Sequence, residues 1–326
     1  MKENSISIGG QAVIEGVMMR GPVKVATAVR TPSGEIEVET KDIVSFLDRY
    51  PLFKKPFLRG TIALVESLVY GIKSLSYSAQ MAGEDDEKIT DRELVGTILL
   101  AFLLAAVLFI AIPTGAAKLF DILTDDPVFL NLMEGVLRLV IFLLYIWGIG
   151  RAKDIQRVFQ YHGAEHKTIH CFEAGEVLTV ENVQRHPRLH PRCGTSFLLI
   201  VMLVSIFVFA FLGWPSLIER IASRVLLLPV VAGISYEFIR LAGRSENFFV
   251  KAFSWPGLQL QCITTSPPDD DMVEVAIESV KAALPRELIL AGTPDYIAKS
   301  RLSKETVSDA ENADSPALQQ EAHHAG

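Results

Sequence analysis

Residues 94–113 read LVGTILLAFLLAAVLFIAIP, and no charge interrupts the run after Glu93. A helix of this length crosses a hydrocarbon core of about 30 Å. Residues 196–214, SFLLIVMLVSIFVFAFLGW, are equally clean. Two further segments, 128–150 and 225–243, each carry one acid and one base at helical spacing, Glu134 with Arg138 and Glu237 with Arg240. Mutual pairing lowers the cost of such charges in lipid. The alternatives are buried helices of a large soluble protein and, for the two charged segments, re-entrant helices. Uninterrupted apolar length favours the membrane. The sequence therefore predicts a polytopic α-helical membrane protein with about four transmembrane helices, at 94–113, 128–150, 196–214 and 225–243.

Composition points the same way. Half of the 326 residues are hydrophobic, and the mean hydropathy is +0.32. A formal net charge of -7 argues against nucleic acid as a partner, because phosphate binding needs clustered Lys and Arg. Cys171, Cys193 and Cys262 are too scattered for a disulfide framework and fit a reducing compartment. The N-terminus shows no apolar core of a cleavable signal. Link 151–195 carries Arg151, Lys153, Arg157, Lys167, Arg185, Arg188 and Arg192, whereas link 118–127 has one Lys and three Asp. The positive-inside rule then places both termini and link 151–195 in the cytoplasm.

The flanking parts predict a small cytoplasmic α+β portion. Residues 1–56 form a β-containing region, with VKVATAVRT and EIEVETK alternating on either side of Pro32-Ser33-Gly34 as a hairpin. Residues 57–93 hold an amphipathic helix (57–81) along the membrane surface and an acidic linker. Residues 244–286 read as a strand, SWPGLQLQCITT, then a helix, SPPDDDMVEVAIESVKAAL, whose Val273, Ile277, Val280 and Leu284 make one apolar face. This strand-helix unit is expected to pack on the N-terminal strands. The polar tail 287–326 reads as disordered.

Five of the seven histidines fall between residues 162 and 193, together with Cys171 and Cys193. In HGAEHKTIHC, His162 and His166 are one helical turn apart and can share an ion. Glu165 completes an H-x-x-E-H spacing, in which the Glu serves as general base. His170 lies about 12 Å from His162 on a straight helix, too far for the same ion. It would support the site, bind another ion, or join only if the helix ended before it. In HPRLHPRC, Pro187 and Pro191 force their preceding histidines into extended backbone. A stiff turn presenting His186, His190 and Cys193 suits a ligand-bearing loop. Nitrogen and sulfur donors favour Zn²⁺, and ligation by Glu165 or other carboxylates would open the site to Fe²⁺ or Mn²⁺. The plain alternative is interfacial histidines bonded to headgroups and backbone. Glu237 and Glu15 are further candidates, the former as an intramembrane acid, the latter in GGQAVIEGVMMRGP. Against these stand a Glu237 pair with Arg240 or Arg244, and an exposed Glu15 in a hairpin. Haem ligation fits poorly, since these histidines lie outside the spans.

The segments GGQAVIEGVMMRGP, FQYHGAEHKTIHCFE, HPRCGTSF and LQLQCITTSPPDDDMVEVAI together resemble the bacterial YqhQ-type family, over roughly residues 5 to 284. That family is a domain of unknown function described as a predicted metal-dependent enzyme. The resemblance implies a bacterial inner-membrane location and puts weight on Glu15, His162, Glu165, His166, His190 and Cys193. Together these readings predict a membrane metalloprotein with metal ligands His162, His166, His190 and Cys193, and with Glu165 as base or as a ligand in its own right. It would hydrolyse a lipid-borne or membrane-protein substrate. The alternative is a non-catalytic membrane assembly or scaffolding factor whose histidine loop binds a structural metal or a partner.

Overall fold

The computed structural model describes residues 8–83, 90–242 and 247–285. The polar tail and most of the acidic linker lie outside them. Four strands, β1 (Gly9–Val13), β2 (Gly16–Arg20), β3 (Lys24–Arg30) and β4 (Ile36–Asp42), form an antiparallel meander in the order β1-β2-β3-β4. The helices are α1 (Phe46–Arg49), α2 (Leu58–Ala82), α3 (Asp91–Ala106), α4 (Ile112–Ala116), α5 (Pro127–Ile149) and α6 (Lys153–Ala174). They continue with α7 (Val180–Gln184), α8 (Gly194–Ala210), α9 (Leu217–Ala242), α10 (Phe248–Thr264) and α11 (Asp270–Ala283).

Strand alternation sorts the sheet into two apolar faces. Val17 and Met19 of β2 and Ala26 and Ala28 of β3 point to one side. There they meet Tyr161 and Ala164 of α6 and Met272, Val273, Ala276, Ile277 and Val280 of α11. Full burial of such aliphatic side chains is worth roughly 1.5–3 kcal/mol each. Val13, Met18 and Val25 point to the other side, where Tyr70 of α2 packs. On that face Thr27 Oγ1 donates to Ser74 Oγ at 2.9 Å. The 23–31/35–41 hairpin thus forms as β3 and β4, with Gly34 at φ 88° in its turn. The expected docking of the C-terminal helix on the strands is also found, as α11.

Three helical stretches are long and apolar enough to cross a membrane: Val95–Phe120, Pro127–Ile149 and Leu217–Ala242. The first is interrupted by a wider turn at Val107–Ala111. Pro113 has no N–H for the Phe109 carbonyl one turn back, and Arg138 Nε donates to that oxygen instead, at 2.9 Å. The 196–214 segment is shorter than its composition suggests. Gly213 adopts a left-handed φ of 71° and Pro215 follows, so α8 stops at Ala210 after 17 residues. That length is about 25 Å.

Two readings are corrected. SWPGLQLQCITT is no strand but the second half of α10. The adjacent Leu260 and Gln261 are both buried, Leu260 in a cluster with Phe142 and Leu199 and Gln261 against Ser196 of α8, a pattern that a period of two does not give. Packing has overridden the local period. Glu237 does not pair with Arg240 but with Arg59 of α2, in a two-pronged contact at 2.7 and 2.5 Å. The pair pins the start of α2 to the end of α9. Glu134 and Arg138 do pair, at 2.8 Å.

Candidate metal centre

Helix α6 runs unbroken through the first histidine cluster and ends at Gly175, which takes a left-handed φ of 76°. Tyr161, Ala164 and Glu165 face the sheet. The histidine face meets two backbone segments, 184–193 and 264–266. The first of these leaves α7 and closes in a turn, Cys193 N–H donating to His190 O at 3.3 Å, and its carbonyls turn toward α6. His166 Nδ1 bonds Arg188 O at 2.5 Å and His170 Nε2 bonds Leu189 O at 3.0 Å. Lys167 Nζ donates to Gln184 O at 2.7 Å and to His186 O at 3.0 Å. The second segment lies against Gly163, where any Cβ would overlap Ser266 O. That approach lets Ser266 N–H donate to Phe159 O at 2.8 Å. It also brings Thr264 O to 2.8 Å from His162 Nδ1.

A carbonyl oxygen only accepts, so Nδ1 carries the proton in His162 and in His166. Each ring then presents the Nε2 lone pair. His162 Nε2 lies 3.2 Å from Cys193 Sγ. His166 Nε2 is buried and makes no hydrogen bond among the described residues. One donor atom each from His162, His166 and Cys193 lies within 4.8 Å of the others. The two rings are 4.4 Å apart between centroids. A tetrahedral zinc sets its nitrogen and sulfur ligands about 3.5 Å apart, a few tenths of an ångström from the His162–Cys193 separation. Burial lowers the pKa of His166, which favours the neutral ring that a metal requires. The residues fit the group: an orphaned lone pair, a fixed tautomer on both rings, and a soft sulfur donor.

The other predicted ligands go elsewhere. His190 joins His170 and Glu173 in a neighbouring set, with its ring 5.7 Å from that of His166. His190 Nδ1 accepts from Arg192 N–H at 3.2 Å, leaving Nε2 to face Glu173 at 3.5 Å. Glu173 also pairs with Arg192. Burial works against ionisation of Glu173, but His190 and Arg192 hold it below the usual carboxylate range. This set is a hydrogen-bonded network that runs through Glu173, His190 and Arg192. His186 sits with Cys171 and Glu176. Burial pushes the Cys171 thiol up to about 11, which keeps it protonated.

Glu165 precedes His166 by one residue, about 100° around the helix, and faces β1. Its Cγ and Oε1 lie 2.8 Å from where a Cβ of Gly10 would stand. Its Oε2 is buried without a hydrogen bond among the described residues. Burial pushes its pKa to about 7, against the opposing pull of His162 and the Ala12 N–H. Glu15 sits in the β1–β2 turn at φ 49° and is held by Arg157 and by Tyr161 Oη, the latter at 3.3 Å. Neither Glu15, Glu165 nor Glu237 is in the three convergent sets.

Sequence reading missed Gln261. It is fully buried, accepts from His190 N–H at 2.8 Å, and donates to His190 O at 2.8 Å and Ser196 Oγ at 2.7 Å. It thereby fixes the loop that carries Cys193. A helical rather than an extended reading of residues 257–265 would have placed Gln261 and Thr264 one turn apart on one face.

Residues 55–286 match the family model described as "Protein of unknown function (DUF1385)". The chain belongs to this family. A relative, "Uncharacterized protein YqhQ" of Bacillus subtilis (strain 168), is 38% identical over 302 residues, covering 86% of this chain and 93% of that one. The YqhQ-type resemblance is therefore correct, and both descriptions leave activity open. No solved structure matches the chain.

Proposed function

We propose that this chain is an integral membrane metalloprotein and a metal-dependent hydrolase, with His162, His166 and Cys193 holding a divalent transition metal, zinc by donor chemistry. The observation that carries the reading is the buried, unbonded Nε2 of His166, aimed beside Cys193 and the lone pair of His162. Zinc with three protein ligands and an open position supplies Lewis acidity and an activated water at neutral pH.

The chain's own contribution is orientation. The Thr264 and Arg188 carbonyls hold the two rings, in the manner of outer-shell partners that tune a metal site. Thr195 N–H donates to Cys193 Sγ at 3.4 Å, capping α8 and fixing that side chain. Glu165 faces the sheet, so we assign it the seating of α6 on β1 rather than the role of base. The basic link favours a site facing the cytoplasm of a bacterial inner membrane, with both termini on that side. A site there suits a lipid-borne or membrane-protein substrate. A closed structural site needs four protein ligands, and the convergent set among the described residues has three. That favours hydrolase over scaffold.

Metal analysis of detergent-purified protein tests this. Wild type should carry about one equivalent of zinc, His166→Ala should lose it, and His190→Ala should keep it. Equal metal in wild type and His166→Ala refutes the assignment.

A further inference from the structure

Helix α6 ends in a turn that folds back on the helix. Gly175 N–H donates to Phe172 O at 3.0 Å, and Glu176 N–H donates to Cys171 O at 3.1 Å. This closure returns Glu176 to the level of Cys171. Lys167 stands one turn before Cys171 on the same face of α6. Its 3.0 Å bond to His186 O draws the end of α7 onto that face. His186 N–H in turn donates to Val183 O at 3.1 Å, which holds the backbone there.

Three unlike donors meet at this corner. One donor atom each from Cys171, Glu176 and His186 lies within 4.8 Å of the others. Glu176 Oε2 is 3.4 Å from His186 Nε2. Ligands held about 2.1 Å from a tetrahedral zinc stand at that same separation. Yet His186 Nε2 is buried and makes no hydrogen bond among the described residues, so the carboxylate approaches the ring without accepting from it. A buried polar atom left so is costly. Cys171 Sγ has a weak bond, to Val177 O at 3.7 Å. The Glu176 side chain is 45% exposed, which gives an ion a way in from solvent and leaves water to fill its remaining position. Cys171 lies five residues beyond His166, about 140° around α6 and about 7.5 Å along it, so this set is separate from His162, His166 and Cys193.

We propose that Cys171, Glu176 and His186 bind a divalent transition ion of the zinc class, at a second site that ties the end of α6 to the segment carrying His190 and Cys193. The site does not depend on the reading of the first. Cys171 gives its proton to solvent as it ligates. Burial holds that proton up to about 11, so binding at neutral pH is weaker than at a ready-made thiolate. This ion is therefore expected to be lost on purification and regained on addition of metal.

The test uses full-length protein with Cys193→Ser and Cys262→Ser, which leaves Cys171 as its one thiol. Co²⁺, a coloured stand-in for Zn²⁺, is titrated in detergent. Cobalt at His162 and His166 gives no thiolate absorption in this background. The expected result is a saturable thiolate-to-cobalt absorption band that Zn²⁺ bleaches, with a rise of a few degrees in Tm. His186→Ala and Glu176→Gln should each weaken the apparent affinity at least tenfold. No saturable thiolate band, or one unchanged in His186→Ala or in Glu176→Gln, overturns the proposal. If His186→Ala does not fold, the half-exposed Glu176→Gln decides.

Discussion

Gly163→Ala is the sharpest probe of how the proposed metal centre is held. The new methyl touches none of His162, His166 and Cys193. It would stand more than about 1 Å inside contact with Ser266 O. The obstacle is backbone, so the 264–266 segment must retreat as a unit. Overpacking of this kind costs about 1–3 kcal/mol. The same retreat carries Thr264 O away from His162 Nδ1, a bond of 2.8 Å, and frees the ring to rotate or change tautomer. Loss of an outer-shell partner typically lowers metal affinity 10–100-fold. Zinc competition against a chromophoric chelator, with thermal unfolding of the same samples, reads both effects. The expected outcome is a lower melting temperature together with that drop in affinity. A destabilised variant with wild-type zinc affinity would refute the claim that Thr264 orients His162.

Two further outcomes follow. The Glu165 carboxyl has a folded pKa near 7, above its ordinary 4.5, so its protonated form is favoured by folding. Its contribution to stability should be complete below pH 4.5 and lost as pH rises through 7; Glu165→Gln should remove this component of the profile in metal-free protein, measured as Tm against pH. Glu237→Gln should loosen α2 from α9 at a cost of about 1 kcal/mol, because the Arg59 pair is partly exposed. Its zinc content should match wild type, and a loss of zinc would place Glu237 in the site after all.

What the residues disclosed on their own depended on the range of the interactions involved. Apolar runs declare themselves because lipid demands length, and Val95–Phe120 and Pro127–Ile149 need no partner to be recognised. The one-turn spacing of His162 and His166 is equally local, and their rings do meet. The stop of α8 was hidden, since it rests on Gly213 adopting a left-handed backbone. The Gln261 segment misled because alternating Leu and Gln fits a strand, while the reason it is a helix lies in α8. The division of histidines between two sets could not be read either. It depends on which carbonyls of 184–193 meet which turn of α6, a register set by Gln261 gripping His190 from 71 residues away.

The sheet and its covering helix come from opposite ends of the described chain. Strands β2 and β3 lie within residues 16–30, and α11, which seals their apolar face, begins at residue 270. A ribosome must therefore emit every candidate span before that face can close. Until then, newly made strands expose Val17, Met19, Ala26 and Ala28 to water. Late closure of distant contacts is slow and invites misassociation. Early insertion of the proposed spans would limit this hazard by tethering the two halves, and a chain cut short before α11 should be handed to quality-control proteases.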